Sequence, residues 1–338
     1  MLRLSCWALL GTLILASCRP AVQIAKPEEE KLIFLNNVKL EMGLLPEKGG
    51  RVVVLRVPGR KNILKEAADL WEADIEATPE ANFQGIQGHI IWVGPQSEWW
   101  SQQDVNPERK EKKANWPPDP YLIYGNFEVK KNSGDAITLV SPDSPVTGLR
   151  LTKEFKLKSG GKVELVTTAE NISDRTVKWD LWSNMRLNGI DRCFVPVDSN
   201  TAVRVEGSGD TAMPWKVEKG YFTFSPTPPA DGQKGRNSKA FIDPSRGAIY
   251  GFAPEGIVII EFEKIDSSKI HPEQAPVEIY NHTNINEGKH LLELEHHGAY
   301  HTLEPSQKMR LKEQWTILPC NGDMSEGDML DFIENMES

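Results

Sequence analysis

The chain has little cysteine, no excess of positive charge and almost no helical periodicity, and each shortage removes a class of explanation. Four cysteines in 338 residues form no CxxC pair and no Cys/His spacing, so nothing suggests a structural zinc module. The formal charge of −9 at pH 7 argues against nucleic acid, whose phosphates need a basic surface, and against electrostatic attachment to anionic lipid. No glycine-rich phosphate loop follows a strand and opens a helix, which argues against nucleotides. Glu206-Gly207-Ser208-Gly209-Asp210 reads as a turn, because it lacks the flanks of a nucleophile elbow. Beyond the first residues no apolar run is long enough to cross a bilayer.

What is present begins at the N-terminus. Arg3 gives a positive start, Cys6 to Ile14 form an uncharged apolar run, and Leu15-Ala16-Ser17-Cys18 follows at once. That pattern reads as a secretory signal over residues 1–17, too short to span a membrane. Its last four residues resemble the lipobox of bacterial lipoproteins, which implies that Cys18 becomes the acylated first residue of the mature chain. An ordinary cleaved signal with an incidental cysteine is the alternative. The resemblance implies a cell-envelope protein held by several acyl chains, since one chain binds only marginally. Arg19 stands where similar lipoproteins retained at the inner membrane carry aspartate, so the outer membrane is the expected destination. Residues 18–31 are polar, with Pro20, Pro27 and Glu28-Glu29-Glu30, and suit a flexible tether. Cys193 and Cys320 are then left over. An oxidising compartment permits a disulfide between them, and two separately buried thiols is the other reading.

From Leu32 to Cys320 the pattern is that of one all-β domain. Short β-type runs such as Leu32 to Leu35, Arg51 to Val57, Ile90 to Val93 and Tyr121 to Lys130 are cut by turn signals. The alternating runs Thr152 to Lys158 and Lys162 to Thr167, around Ser159-Gly160-Gly161, predict a hairpin with one wet face. Ile257 to Phe262, Val277 to Tyr280, Leu291 to His297 and Met309 to Ile317 continue the series. Asn62 to Trp71 suits a short helix, and Ser325 to Met336, in the tail 321–338, an amphipathic one. The expected architecture is a large antiparallel β-sandwich with few short helices. A polar, aromatic insertion from Gly94 to Asp119 interrupts it, and a loop that long is either functional or disordered.

Three segments together resemble the galactose mutarotase-like superfamily, the β-supersandwich fold of the aldose 1-epimerases. They are Gly88-His89-Ile90-Ile91-Trp92-Val93-Gly94-Pro95 with the Trp116-Pro117-Pro118-Asp119 turn, the segment Glu170 to Trp179, and Leu303-Glu304-Pro305-Ser306 before the strand ending Trp315-Thr316-Ile317. The nearest likeness is to a branch of unknown function found in bacterial lipoproteins, over about Phe34 to Leu318. The resemblance implies a sugar ligand and, on a late strand, a glutamate base, for which Glu295 is the nearest match. Aldose 1-epimerases place a catalytic histidine shortly after the Asn-x-x-Asp turn. Here that stretch reads Leu181-Trp182-Ser183-Asn184-Met185-Arg186, without histidine. Loss of that acid removes roughly two to four orders of magnitude of rate.

Candidate site residues cluster in Glu293-Leu294-Glu295-His296-His297-Gly298-Ala299-Tyr300-His301. On a strand, Glu293, Glu295 and His297 share one face and Leu292, Leu294 and His296 the other. Glu295, His297 and His89 are the candidate acid–base groups. Trp92, Trp99, Trp100 and Trp116 suit stacking on sugar rings, with Arg150, Asn184, Arg186, Glu293 and Tyr300 as polar partners. Trp179 and Trp315 are assigned to the core. His296, His297 and His301 follow no specific ligand spacing, so no metal or cofactor is expected. The reading is a lipid-anchored extracytoplasmic carbohydrate-binding protein without fast turnover. The competitors are an aldose epimerase or sugar isomerase using Glu295 as base, and an interaction lipoprotein in which the sandwich is a scaffold. The anchor is testable directly: Cys18→Ser is expected to abolish detergent-phase partitioning and release a soluble or uncleaved precursor, and unchanged membrane association would remove the lipoprotein assignment.

Overall fold

A computed structural model describes residues 29, 31–188, 191–209, 211–226, 235–284, 289–320 and 322–337. The signal segment, Cys18 and all of the 18–31 tether except Glu29 and Lys31 lie outside the described residues. In chain order the strands are β1 (Ile33–Asn36), β2 (Glu41–Leu45), β3 (Arg51–Arg56), β4 (His89–Gly94), β5 (Glu128–Asn132), β6 (Ala136–Val140), β7 (Leu149–Lys158), β8 (Lys162–Asn171), β9 (Val177–Leu187) and β10 (Arg192–Pro196). They continue with β11 (Val203–Gly209), β12 (Trp215–Glu218), β13 (Tyr221–Phe224), β14 (Gly235–Ile242), β15 (Ala248–Ala253), β16 (Gly256–Phe262), β17 (Val277–Asn284), β18 (Lys289–His297), β19 (His301–Leu303) and β20 (Lys308–Leu318). The α-helices are α1 (Pro107–Glu111), α2 (Pro120–Tyr124) and α3 (Glu326–Glu337).

Two ten-stranded sheets form, the first in the order β1-β2-β3-β4-β9-β18-β17-β14-β11 with β19 paired to β9. The second runs β12-β13-β10-β15-β16-β20-β8-β7-β6-β5, with antiparallel pairing between neighbours throughout the described residues. The expected all-β sandwich is therefore the observed fold. The β7–β8 hairpin pairs Lys158 with Lys162, so the chain turns at Ser159-Gly160-Gly161 as its glycines predict. Along β20, Met309, Leu311, Trp315 and Ile317 are buried while Lys308, Arg310 and Lys312 are exposed, which turns the odd positions toward the first sheet. Trp179 and Trp315 are core residues, as expected.

Local chemistry explains where the structure departs from the sequence pattern. Tyr121 to Lys130 is not one strand. Asp119 accepts a hydrogen bond from the Tyr121 N–H and Pro120 opens the first turn, so α2 forms before β5 begins. Asn62 to Trp71 makes a single 3-10 turn, Ala68–Leu70. The Asn62 amide accepts from the Leu55 N–H at 2.8 Å and donates to the Val53 carbonyl at 2.7 Å, which holds the segment extended beside β3. The expected C-terminal helix is present, with Ser325 and Asp328 forming a reciprocal cap. Cys193 and Cys320 are separate thiols, not a disulfide. Cys193 packs in the main core and Cys320 in the smaller cluster beneath α3.

One buried carboxylate joins the sheets. Glu313 takes an inward position on β20 and accepts from the Ser183 hydroxyl (3.0 Å), from the Trp315 indole N–H (2.8 Å) and from His296 (3.0 Å), with His89 at 3.6 Å. Burial alone would raise its pKa, but His296 and His89 hold it well below the usual carboxylate range. A depressed pKa contributes stability above the unfolded value of about 4.3 that fades as pH falls below it. Removing one partner of a buried charge network costs about 3–5 kcal/mol. Glu313→Ala is expected to lower unfolding stability by that amount in denaturant titrations at pH 7; a loss under 1 kcal/mol would overturn the assignment.

Candidate functional site

The candidate site forms on the outward face of the first sheet, and strand register assembles it. Opposite Trp182 on β9 stand Trp92 on β4 and His297 on β18. In the next layer Asn184, Glu295, Glu278 and Phe241 lie side by side across β9, β18, β17 and β14. In the layer after that come Arg186, Glu293, Tyr280 and Lys239. Alternation places all of these outward, while Ser183 and His296 point inward to Glu313. Above the charged floor is a cavity of about 480 Å³ walled by Trp92, Trp116, Trp182, Phe83 and Tyr280.

The floor is a chain of buried ion pairs. Arg186 Nε donates to Glu293 at 2.6 Å, and its guanidinium lies 5.1 Å from the Trp92 ring. Lys239 Nζ donates to Glu278 (2.6 Å) and Glu295 (2.7 Å), with the Trp182 ring 4.7 Å away. Asn184 Nδ2 donates to the other Glu295 oxygen at 2.7 Å. Burial opposes the charge on Lys239, yet the two carboxylates carry its pKa well above that of an ordinary lysine. Glu278 is held down to about 2, because Lys239 and His297 outweigh its burial. Glu295 goes the other way: burial raises its pKa well above the usual range, with Lys239 offsetting part of the rise and Glu293 and Glu278 adding to it.

His297 sits between Asp180 (Nδ1 to Oδ2, 3.5 Å) and Glu278 (Nε2 to Oε1, 3.5 Å). Gly94 makes room for this arrangement. Its N–H donates to Asp180 Oδ1 at 3.0 Å, and a Cβ there would lie 2.6 Å from that oxygen. Burial lowers the affinity of His297 for a proton, but the two carboxylates win and raise its pKa to about 9. An imidazolium needs acceptors at both nitrogens. The Gln274 amide lies 2.9 Å from Nδ1, and turning it over presents its otherwise unpartnered Oε1.

Several sequence expectations need correction. Trp99 and Trp100 are buried and do not line the cavity; their indole N–H groups donate to the carbonyls of Val93 (2.6 Å) and Pro117 (2.7 Å). They form the core of the folded insertion and leave Trp116, 44% exposed, at the cavity wall. His89 faces the sandwich interior, where it contacts Ser183 at 3.0 Å and the Trp315 ring. Arg150 lies on β7 in the other sheet, paired with Asp143 at 2.7 Å. Tyr300 donates to Glu98 and lies outside the cavity lining. Trp92, Asn184, Arg186, Glu293, Glu295 and His297 come together as described. Lys239, Glu278 and Asp180 complete the site and were not singled out from the sequence. For Glu278 and Asp180 a signal is present: in Val277-Glu278-Ile279 and Trp179-Asp180-Leu181 a charge interrupts an apolar run.

A family model described as a domain of unknown function, DUF4380, matches residues 31–318. The chain belongs to this family. No curated protein matches it. Among solved structures, the DUF4380 domain resembles a galactose mutarotase-like protein from Lactobacillus casei, at 12% identity and a TM-score of 0.55, covering 85% of this chain and 99% of that one. A galactose mutarotase related enzyme from Lactobacillus acidophilus aligns at 9% identity and a TM-score of 0.54 over 87% of this chain and 99% of that one. A TPR-domain containing protein from Parabacteroides distasonis aligns at 15% identity and a TM-score of 0.57 over 86% of this chain. The present chain spans about half that protein's length, 48%. The DUF4380 domain thus has the galactose mutarotase-like fold.

The paired imidazolium gives a measurable property. A raised pKa stabilises fully below the unfolded value of about 6.5 and is lost as pH rises through the folded one. The His297 ring is expected to titrate near pH 9 by NMR and to drop toward the ordinary range in Glu278→Gln. A native midpoint between about 6 and 7 would overturn the ion-pair assignment.

Proposed function

We propose that the protein is a lipid-anchored, extracytoplasmic carbohydrate-binding protein of the bacterial cell envelope, held at the outer membrane through Cys18, that recognises sugar in the concave cavity without fast turnover. The observation that carries this reading is the tryptophan-walled cavity set over a floor of fully paired charged groups. Sugar rings stack their C–H faces on indole, and their hydroxyls exchange hydrogen bonds with carboxylates, amides and ammonium groups. The relative from Lactobacillus acidophilus is described as a galactose mutarotase related enzyme. On fold alone that is analogy, since one fold hosts many activities.

Two features favour binding over epimerisation. A general base must reach a substrate proton, but each Glu295 oxygen already accepts a short hydrogen bond, from Asn184 or Lys239. A general acid is also missing from β9, whose outward residues near the floor are Asp180, Trp182, Asn184 and Arg186. Of the two candidate histidines, His89 lies on the opposite side of the sheet, and His297 is buried between Asp180 and Glu278 outside the cavity lining.

Thermal unfolding and tryptophan fluorescence across a panel of mono- and oligosaccharides test the reading. A bound sugar at a hundredfold excess over Kd is expected to stabilise by about 2.7 kcal/mol. Trp116→Ala, at a half-open position, is expected to weaken binding by about 1–3 kcal/mol with the fold intact. Polarimetry is expected to show anomer interconversion at the uncatalysed rate. No response to any sugar would leave the scaffold reading, and rapid mutarotation would establish the epimerase one.

A further inference from the structure

A second hollow of about 350 Å³ opens beside the main cavity. The two share Gln96, Trp182, Lys239 and Tyr280 as a common wall. The second is lined further by Phe241, Gln274, Asn115 and Glu273. Trp182 and Lys239 therefore form a ridge between two compartments, with the ammonium 4.7 Å from the indole ring.

We infer that the ligand is a neutral oligosaccharide of at least two rings, one in the main cavity and the next in the adjoining hollow; this rests on the sugar-binding reading above. Each compartment repeats the elements one ring needs. The first has the Trp92 and Trp116 faces, and the second has the Phe241 ring with amides from Asn115 and Gln274 at its edge. The Trp182 indole N–H, buried on the shared wall, has no hydrogen-bond partner among the described residues. Charge sets the ligand class. Lys239 and the His297 imidazolium answer Glu278, while the Glu273 carboxylate at the edge of the second compartment has no ion pair among the described residues, so a uronate or sulfated ring placed beside it meets repulsion. Neutral rings carry hydroxyls that donate to carboxylates and accept from amides, which matches the groups present.

The test uses the purified full-length protein and calorimetric titration with glucose, galactose, mannose and xylose, their α- and β-linked di- and trisaccharides, and the corresponding uronate disaccharides. For the sugar that binds, the neutral disaccharide is expected to bind about ten-fold more tightly than the monosaccharide, since a second ring adds one stacking contact. Phe241→Ala and, independently, the exposed-loop variant Asn115→Ala are expected to shrink the disaccharide's advantage over the monosaccharide, read as the ratio of the two affinities in each variant; an unchanged ratio in both overturns the two-compartment inference. Monosaccharide binding with no gain from a second ring overturns this inference alone. An equal gain for the uronate disaccharide overturns the neutral assignment. Failure of every sugar to bind overturns both this inference and the reading beneath it.

Discussion

The Glu313 carboxylate is the fixed point of the molecule. It lies on β20 of one sheet, and its partners Ser183, His296 and His89 come from β9, β18 and β4 of the other. Those three strands carry Trp92, Trp182, Asn184, Arg186, Glu293, Glu295 and His297 on their opposite faces. Side chains alternate along a strand, so the inward Ser183 fixes the direction of Trp182 and Asn184 beside it, and the inward His296 fixes Glu295 and His297. A rotation of β9 or β18 that spoiled the cavity floor would also break hydrogen bonds to a buried carboxylate. The polar floor and the polar anchor are two sides of the same strands.

The floor obeys a strict pairing rule. Burying unpaired carboxylates would cost several kcal/mol each, and three glutamates and an aspartate are buried on the outward face of the first sheet. Arg186, Lys239 and the His297 imidazolium answer them, and the neighbouring Glu295 and Glu278 share the Lys239 ammonium. Lys239 has the central role because one ammonium satisfies two carboxylates. This arrangement is poor for proton abstraction and good for rigidity. Both Glu295 oxygens are already occupied by donors and so are poorly placed to reach a substrate proton, while paired side chains present fixed hydrogen-bond directions to a ligand.

Much of the sandwich was legible because its signals are local: the β7–β8 hairpin depends on a few glycines, and the shared face of Glu293, Glu295 and His297 depends on period two within one strand. The rest of the floor was not legible for the same reason. Lys239 and Glu295 are separated by 56 residues, and nothing local brings β14 within reach of β18. The His89 assignment failed on a rule that the sequence did contain. Trp92 lies three residues further along the same strand, so one of the pair faces the cavity and the other the interior. The tryptophans of the insertion misled for another reason. Indole content excludes disorder but does not give direction, and here each N–H of Trp99 and Trp100 closes on a nearby carbonyl.

The paired floor also determines what kind of recognition this cavity favours. A ligand hydroxyl that reached Glu295 would compete with Asn184 and Lys239, so each new hydrogen bond would partly replace an existing one and its net gain would be small. The half-open Trp116 ring, by contrast, gives up no protein hydrogen bond when an apolar sugar face lands on it. On the sugar-binding reading proposed above, affinity would come mainly from apolar contact along the walls, and the floor would select by refusing a ring whose hydroxyls do not match its fixed donors and acceptors. Length is the remaining way for such a site to gain affinity, since each further ring adds wall contact without disturbing the ion pairs. The adjoining hollow at Phe241 offers that contact where the floor ends.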